Sequence, residues 1–159
     1  MNKVLIVICF LSFFHFSKNQ NISNETIVIF TDYFIEVAKG MSKNEINQVC
    51  VNAFIENKQE LVNLFIIAFD SITKGNWDFG AIIPYIQIFA PKCYDFFLFV
   101  QQLFFSLDKD KIQQYGVNMM IKSKIIDKNM QIIMGSNNTN TTLFNVGRIL
   151  STIMDFQFN

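Results

Sequence analysis

The chain has 159 residues, 13 basic and 13 acidic side chains, one histidine, and a 51% share of hydrophobic residues. That hydrophobic share excludes a disordered polymer, and the even charge balance excludes the basic excess that nucleic acid or an anionic membrane surface requires. This length suits one domain able to bury a sizeable core. Six glycines and two prolines leave few breaks, so long helices are expected between them. Nineteen phenylalanines beside a single arginine, Arg148, fit the codon bias of an AT-rich genome, which lowers the weight of any one Phe or Asn.

The chain opens with Met1-Asn2-Lys3, an apolar run over residues 4–16 and the polar exit Ser17-Lys18-Asn19-Gln20-Asn21, the form of a secretory signal peptide. An apolar core of about 13 residues is shorter than the roughly 20 that a transmembrane helix needs. The expected organisation is a signal peptide over 1–17, cut near residues 17–20, and a single helical domain over 18–159; an uncleaved signal anchor is the alternative. Cleavage would remove Lys3, Cys9 and His15 and leave a mature chain without histidine.

Ser23-Asn24-Glu25 opens a helix expected to reach Lys39, with Ile27, Phe30, Phe34, Ile35 and Ala38 on one face. Gly40 follows as its stop. Ser42-Lys43-Asn44-Glu45 has the capping-box pattern, and Ile46, Val49, Cys50, Ala53 and Phe54 carry the period onward with Cys50 facing inward. Asn57-Lys58-Gln59-Glu60 either breaks this helix or lies on its wet side. Leu61, Leu64, Phe65, Ala68 and Ile72 continue to Lys74-Gly75, a second stop of the same kind.

After the break Gly75-Asn76-Trp77-Asp78, the run 79–90 contains Pro84, which should kink it by removing a backbone donor. Pro91 is placed to begin a helix over 91–107 with Cys93 in its first turn. Asp108-Lys109-Asp110 caps a short segment ending near Gly116. A helix is expected over 117–134 with Met120, Ile121, Ile125, Met130, Ile133 and Met134 inward. Residues 135–141 read as a polar loop and 142–156 as the closing helix, in which Gly147 can let another helix approach closely. Strand alternation and hairpin turns are missing, so the fold class is all-α, a compact bundle of six or seven helices.

Cys50 and Cys93 remain once the leader is gone, and an even pair in a secretory context reads as one disulfide. Closing a loop of about 44 residues is worth roughly 4 kcal/mol by loss of unfolded-chain entropy. Two buried free thiols are the alternative. A zinc site would lack ligands, since two cysteines without histidine cannot fill a tetrahedral shell.

Ala38-Lys39-Gly40, Cys50, Lys74-Gly75-Asn76-Trp77, Cys93 and Gly147-Arg148-Ile149-Leu150 together form a pattern spread over most of the chain beyond the leader. In that pattern the chain resembles a loose group of secreted, helix-rich ciliate proteins with one disulfide and no assigned activity. Members are often labelled transmembrane proteins because of their leader. The resemblance implies architecture and secretion and brings no catalytic residue.

Catalysis through a histidine base is excluded from the mature chain. Ser42-Lys43 and Ser123-Lys124 are adjacent pairs whose side chains diverge by about 100° on a helix. Asp70, Asp78 and Asp95 are the acids nearest the cysteines, but each suits a helix end or first turn. Asp108-Lys109-Asp110 and Asp127-Lys128-Asn129 lack the glycine and terminal glutamate of a calcium loop.

Trp77 reads as a lid over the helix junction or, if exposed, as a partner contact. Phe96, Phe97, Phe99, Phe104 and Phe105 fill more than one face of their helix, which marks a central helix or the lining of an apolar-ligand cavity. Four glycosylation sequons begin at Asn21, Asn24, Asn137 and Asn140, off the predicted helices. The functional expectation is a secreted or luminal, non-enzymatic binding or structural component with no cofactor. The alternative is a carrier of a fatty acid, sterol or similar apolar molecule.

Overall fold

The first helix, α1 (Asn24–Met41), starts where Ser23 accepts a hydrogen bond from the Thr26 amide at 3.2 Å, with Glu25 in its first turn and Lys39 in its last. Both charges complement the helix dipole. The computed structural model describes residues 23–42, 48–75, 78–105 and 109–156, except the side chains of Ile72, Phe79, residues 99–105 and Lys109. Among the described residues there are seven helices and no strand, so the all-α class stands.

Gly40 is not the stop that the sequence suggests: it lies buried inside α1. The reason is found in α7 (Thr139–Met154), which packs against it. A Cβ on Gly40 would overlap the Phe144 carbonyl oxygen, and a Cβ on Gly147 would overlap the Val37 carbonyl while standing 3.0 Å from the Gly40 Cα. Two glycines from opposite parts of the chain thus let two backbones touch, and Asn145, Gly147, Ile149 and Ser151 form the buried stripe of α7.

Helices α2 (Val49–Glu56) and α3 (Lys58–Lys74) are separated by Asn57 alone, whose φ of −117° and ψ of 44° leave the helical region. Its side-chain amide donates to the Ala53 carbonyl at 2.9 Å, and its backbone N–H reaches the same oxygen at 3.0 Å. A side chain competing for a backbone acceptor breaks the run there. At the far end of α3, Gly75 takes the left-handed conformation at φ 66° and caps the helix, as expected.

Helix α4 (Phe79–Phe105) is capped by Asp78, whose Oδ1 accepts from the Ala81 amide at 3.1 Å. The run passes Pro84 without leaving helical geometry, and the new start expected at Pro91 comes two residues later: the geometry breaks at Cys93, with φ −126° and ψ 28°, so α4 is two helical segments joined at a kink. Pro91 withholds one hydrogen bond just before that kink.

A second correction concerns α5 (Lys109–Ile121) and α6 (Ser123–Gly135), which divide at Lys122 and not near Gly116. The division is held from α7: Asn118 is buried and its side-chain amide donates to the Ile153 carbonyl at 2.9 Å, while Lys122 pairs with Asp155. Moving the break re-aims the faces. Met120, Ile121, Ile125 and Met134, expected inward, are 72%, 75%, 52% and 74% exposed, and the buried apolar residue of α6 is Ile126. The loop before α7 is also shorter than expected, because Asn138 caps the helix by accepting from the Thr141 amide at 3.1 Å.

The main core gathers Ile35, Val37, Ala38 and Met41 of α1, Cys50, Val51, Ala53 and Phe54 of α2, Leu61 of α3, and Phe89 and Cys93 of α4. Ile27, Val62 and Phe69 form a smaller cluster at the other end of the α1–α3 contact. Fully burying one such large side chain is worth about 1.5–3 kcal/mol.

Candidate functional site

Cys50 and Cys93 form the disulfide, with Cα atoms 4.7 Å apart and a separation of 43 positions in sequence. Neither sulfur is within reach of solvent, since the two residues are 0% and 2% exposed. The bond joins the first turn of α2 to the bend of α4, at the centre of the main core. Above it at the surface, Lys92 meets Glu56 at 3.1 Å.

Around the bond the aromatic rings meet edge to face. Phe96 lies 5.5 Å from Phe54 and 5.8 Å from Phe34, and Phe97 lies 5.9 Å from Phe96. Phe54 also meets Phe89 at 5.5 Å, and Phe34 meets Phe65 at 5.1 Å. These separations are those of packed aromatic pairs, each adding about 0.5–1.5 kcal/mol beyond buried area. Phe96 and Phe97, each half-buried, therefore pack against the main core. The side chains of Phe99, Phe104 and Phe105, the residues Trp77 and Asn21, and the whole 1–17 segment lie outside what is described.

The three acids near the cysteines do not converge on a common task. Asp70 pairs with Lys74 at 2.7 Å, Asp78 caps α4, and Asp95 is exposed on α4. Among the described residues no group of three or more His, Cys, Asp or Glu could hold a metal ion. No described helix is long and apolar enough to cross a membrane. Burial raises the pKa of the Tyr115 hydroxyl above its ordinary value, which makes it a weaker acid.

Two surface features were not visible in the sequence. One is a half-open groove of about 420 Å³, lined by Asp32, Tyr33, Glu36 and Lys39 of α1, Ile55 of α2, Lys58 of α3 and Asn140 of α7. Lys58 meets Asp32 and Lys39 meets Glu36, each at 2.5 Å, so the polar rim is already charge-paired. The other is a set of exposed apolar side chains on α5 and α6: Ile112 (57% exposed), Val117, Met120, Ile121, Ile125 and Ile132. Lys124, Asp127 and Lys128 of α6 are exposed as well. Of the sequon asparagines described, Asn24 and Asn140 lie in the first turns of α1 and α7 and Asn137 in the preceding loop, all exposed.

Among the described residues, the class these features define is a bundle of seven helices with one disulfide and packed aromatic rings. Comparison with protein-family models, with curated proteins and with solved structures finds no match.

Proposed function

We propose that the protein is a secreted or luminal, non-enzymatic helical component that works through protein–protein contact. The observation that carries this reading is the number of large apolar side chains that α5 and α6 expose to solvent. Exposed apolar surface is a mark of interaction sites, and methionine gives such a surface adaptable packing. The buried disulfide supports an oxidising compartment, where such bonds persist. The resemblance to secreted ciliate proteins is part of the same reading.

The simplest occupant is a second copy. A two-fold contact would cover Ile121, Ile125 and their exposed apolar neighbours on both copies at once. The test is light scattering of the full chain, exported from a eukaryotic host, across a range of concentrations. Association that Ile121→Glu abolishes is expected. A monomer at every concentration, unchanged by the substitution, would refute contact between copies. Carriage of an apolar molecule is the second reading, and it requires the Phe34, Phe54 and Phe96 rings to part around a ligand. A native mass with bound lipid would favour it over the first.

A further inference from the structure

We infer that Asn140 is an N-glycosylated residue whose proximal sugars lie in the groove between α1, α2, α3 and α7, against Tyr33. This rests on the secretory part of the function proposed above. Asn140-Thr141-Thr142 is a sequon, and of the described sequon asparagines it is Asn140 that lines the groove. In the bond-forming step the carboxamide nitrogen of Asn140 attacks the anomeric carbon of an oligosaccharide carried on a lipid pyrophosphate. The bond from that carbon to the pyrophosphate oxygen breaks, the lipid pyrophosphate leaves with the electron pair, and one amide proton passes to a base of the host transferase. Nothing is oxidised or reduced.

The groove has the chemistry for what is then attached. Tyr33 is 46% exposed and Ile55 47% exposed, an apolar floor that water covers poorly. The C–H face of a pyranose is weakly positive and suits the negative face of the Tyr33 ring. The sugar hydroxyls and acetamido group then meet Asp32, Glu36 and Lys58 along the rim. A volume of about 420 Å³ lies within the range of sites that seat small molecules. Asn24 and Asn137 do not line this groove, so a glycan on either would extend into solvent.

The test uses the full chain exported from a eukaryotic host, with each sequon assigned by peptide mass after enzymatic glycan release. Expected are a glycan at Asn140 and loss of that one glycan in both Asn140→Gln and Thr142→Val. The melting temperature should drop by about 3 °C on losing it. Tyr33→Ser should lower the melting temperature of the glycosylated protein and leave the deglycosylated protein unchanged, and should speed glycan release from the folded state. Asn140 unmodified while Asn24 or Asn137 carries sugar overturns the inference and leaves secretion standing. So does a glycan at Asn140 whose removal and whose release rate ignore Tyr33. A product with residues 1–17 retained, every sequon bare and both thiols free overturns the secretory reading and this inference together.

Discussion

Replacing a glycine by alanine at three positions of this bundle should give opposite results, because three similar helical glycines meet different surroundings. At Gly116, in the interior of α5, nothing stands within 4 Å of where a Cβ would go, so alanine gains only its better helix propensity, about 1 kcal/mol. At Gly40 the same gain is offset by collision with backbone: the Phe144 carbonyl oxygen and carbon and the Arg148 nitrogen all lie in the way. A flexible side chain could swing aside, but here whole helices must separate. Overpacking of this sort costs typically 1–3 kcal/mol and more when backbone must shift, so Gly40→Ala should destabilise by about 2 kcal/mol net. Gly147→Ala should do the same through Val37.

Because parting α1 from α7 once relieves both collisions, Gly40→Ala with Gly147→Ala should cost less than the sum of the singles. Urea unfolding of the four proteins, read by helical circular dichroism, measures each difference. If Gly40→Ala proved neutral or stabilising, like Gly116→Ala, the close approach of α1 and α7 would be wrong. Additive single effects would show that the two glycines do not share one contact.

The remaining predictions concern the core, the α7 anchor and pH. Replacing both Cys50 and Cys93 by serine should cost about 4 kcal/mol, seen as a lower urea midpoint, with little change when the variant is reduced. A midpoint equal to that of the parent protein would contradict a bond closed in the native state. Phe54→Ala removes a ring fully buried against Phe34, Phe89 and Phe96 and should cost about 3–5 kcal/mol in the same assay. Asn118→Ala should cost about 1 kcal/mol and speed hydrogen exchange at the end of α7, since the Ile153 carbonyl loses its donor. For Tyr115 the folded-state pKa lies above the ordinary 10.0, so its contribution is whole below that pH and is lost as pH rises beyond it. Tyr115→Phe should flatten that alkaline decline in a melting series; an unchanged slope would show that Tyr115 is not its source.

The period of apolar residues made the helices legible, and the cysteine pair made the staple legible. What escaped was decided at a distance. Lys39-Gly40 and Lys74-Gly75 carry the same local signal, yet Gly75 caps a helix and Gly40 lies within one, because another backbone seats against Gly40. Gly116 looked like a break and is an ordinary helical position; the break came at Lys122, where α7 supplies Asp155 and the Ile153 carbonyl. That shift turned Met120, Ile121 and Ile125 from expected core into surface, and with them came the candidate contact face. The groove was invisible for a related reason: Asp32, Lys58 and Asn140 become neighbours only after four helices have packed. Asn138 was readable as part of a polar stretch, but its role as a cap depends on where α7 begins.

The α1–α7 contact also sets a timetable. Its two glycines are separated by roughly 100 residues, so a ribosome adding about 5–20 residues per second delivers the second some 5–20 s after the first. Until then the partner surface on α1 has nothing to close against, and the nascent chain stays open to enzymes that work on loose polypeptide. The fold is locked by the late arrival of its last described helix.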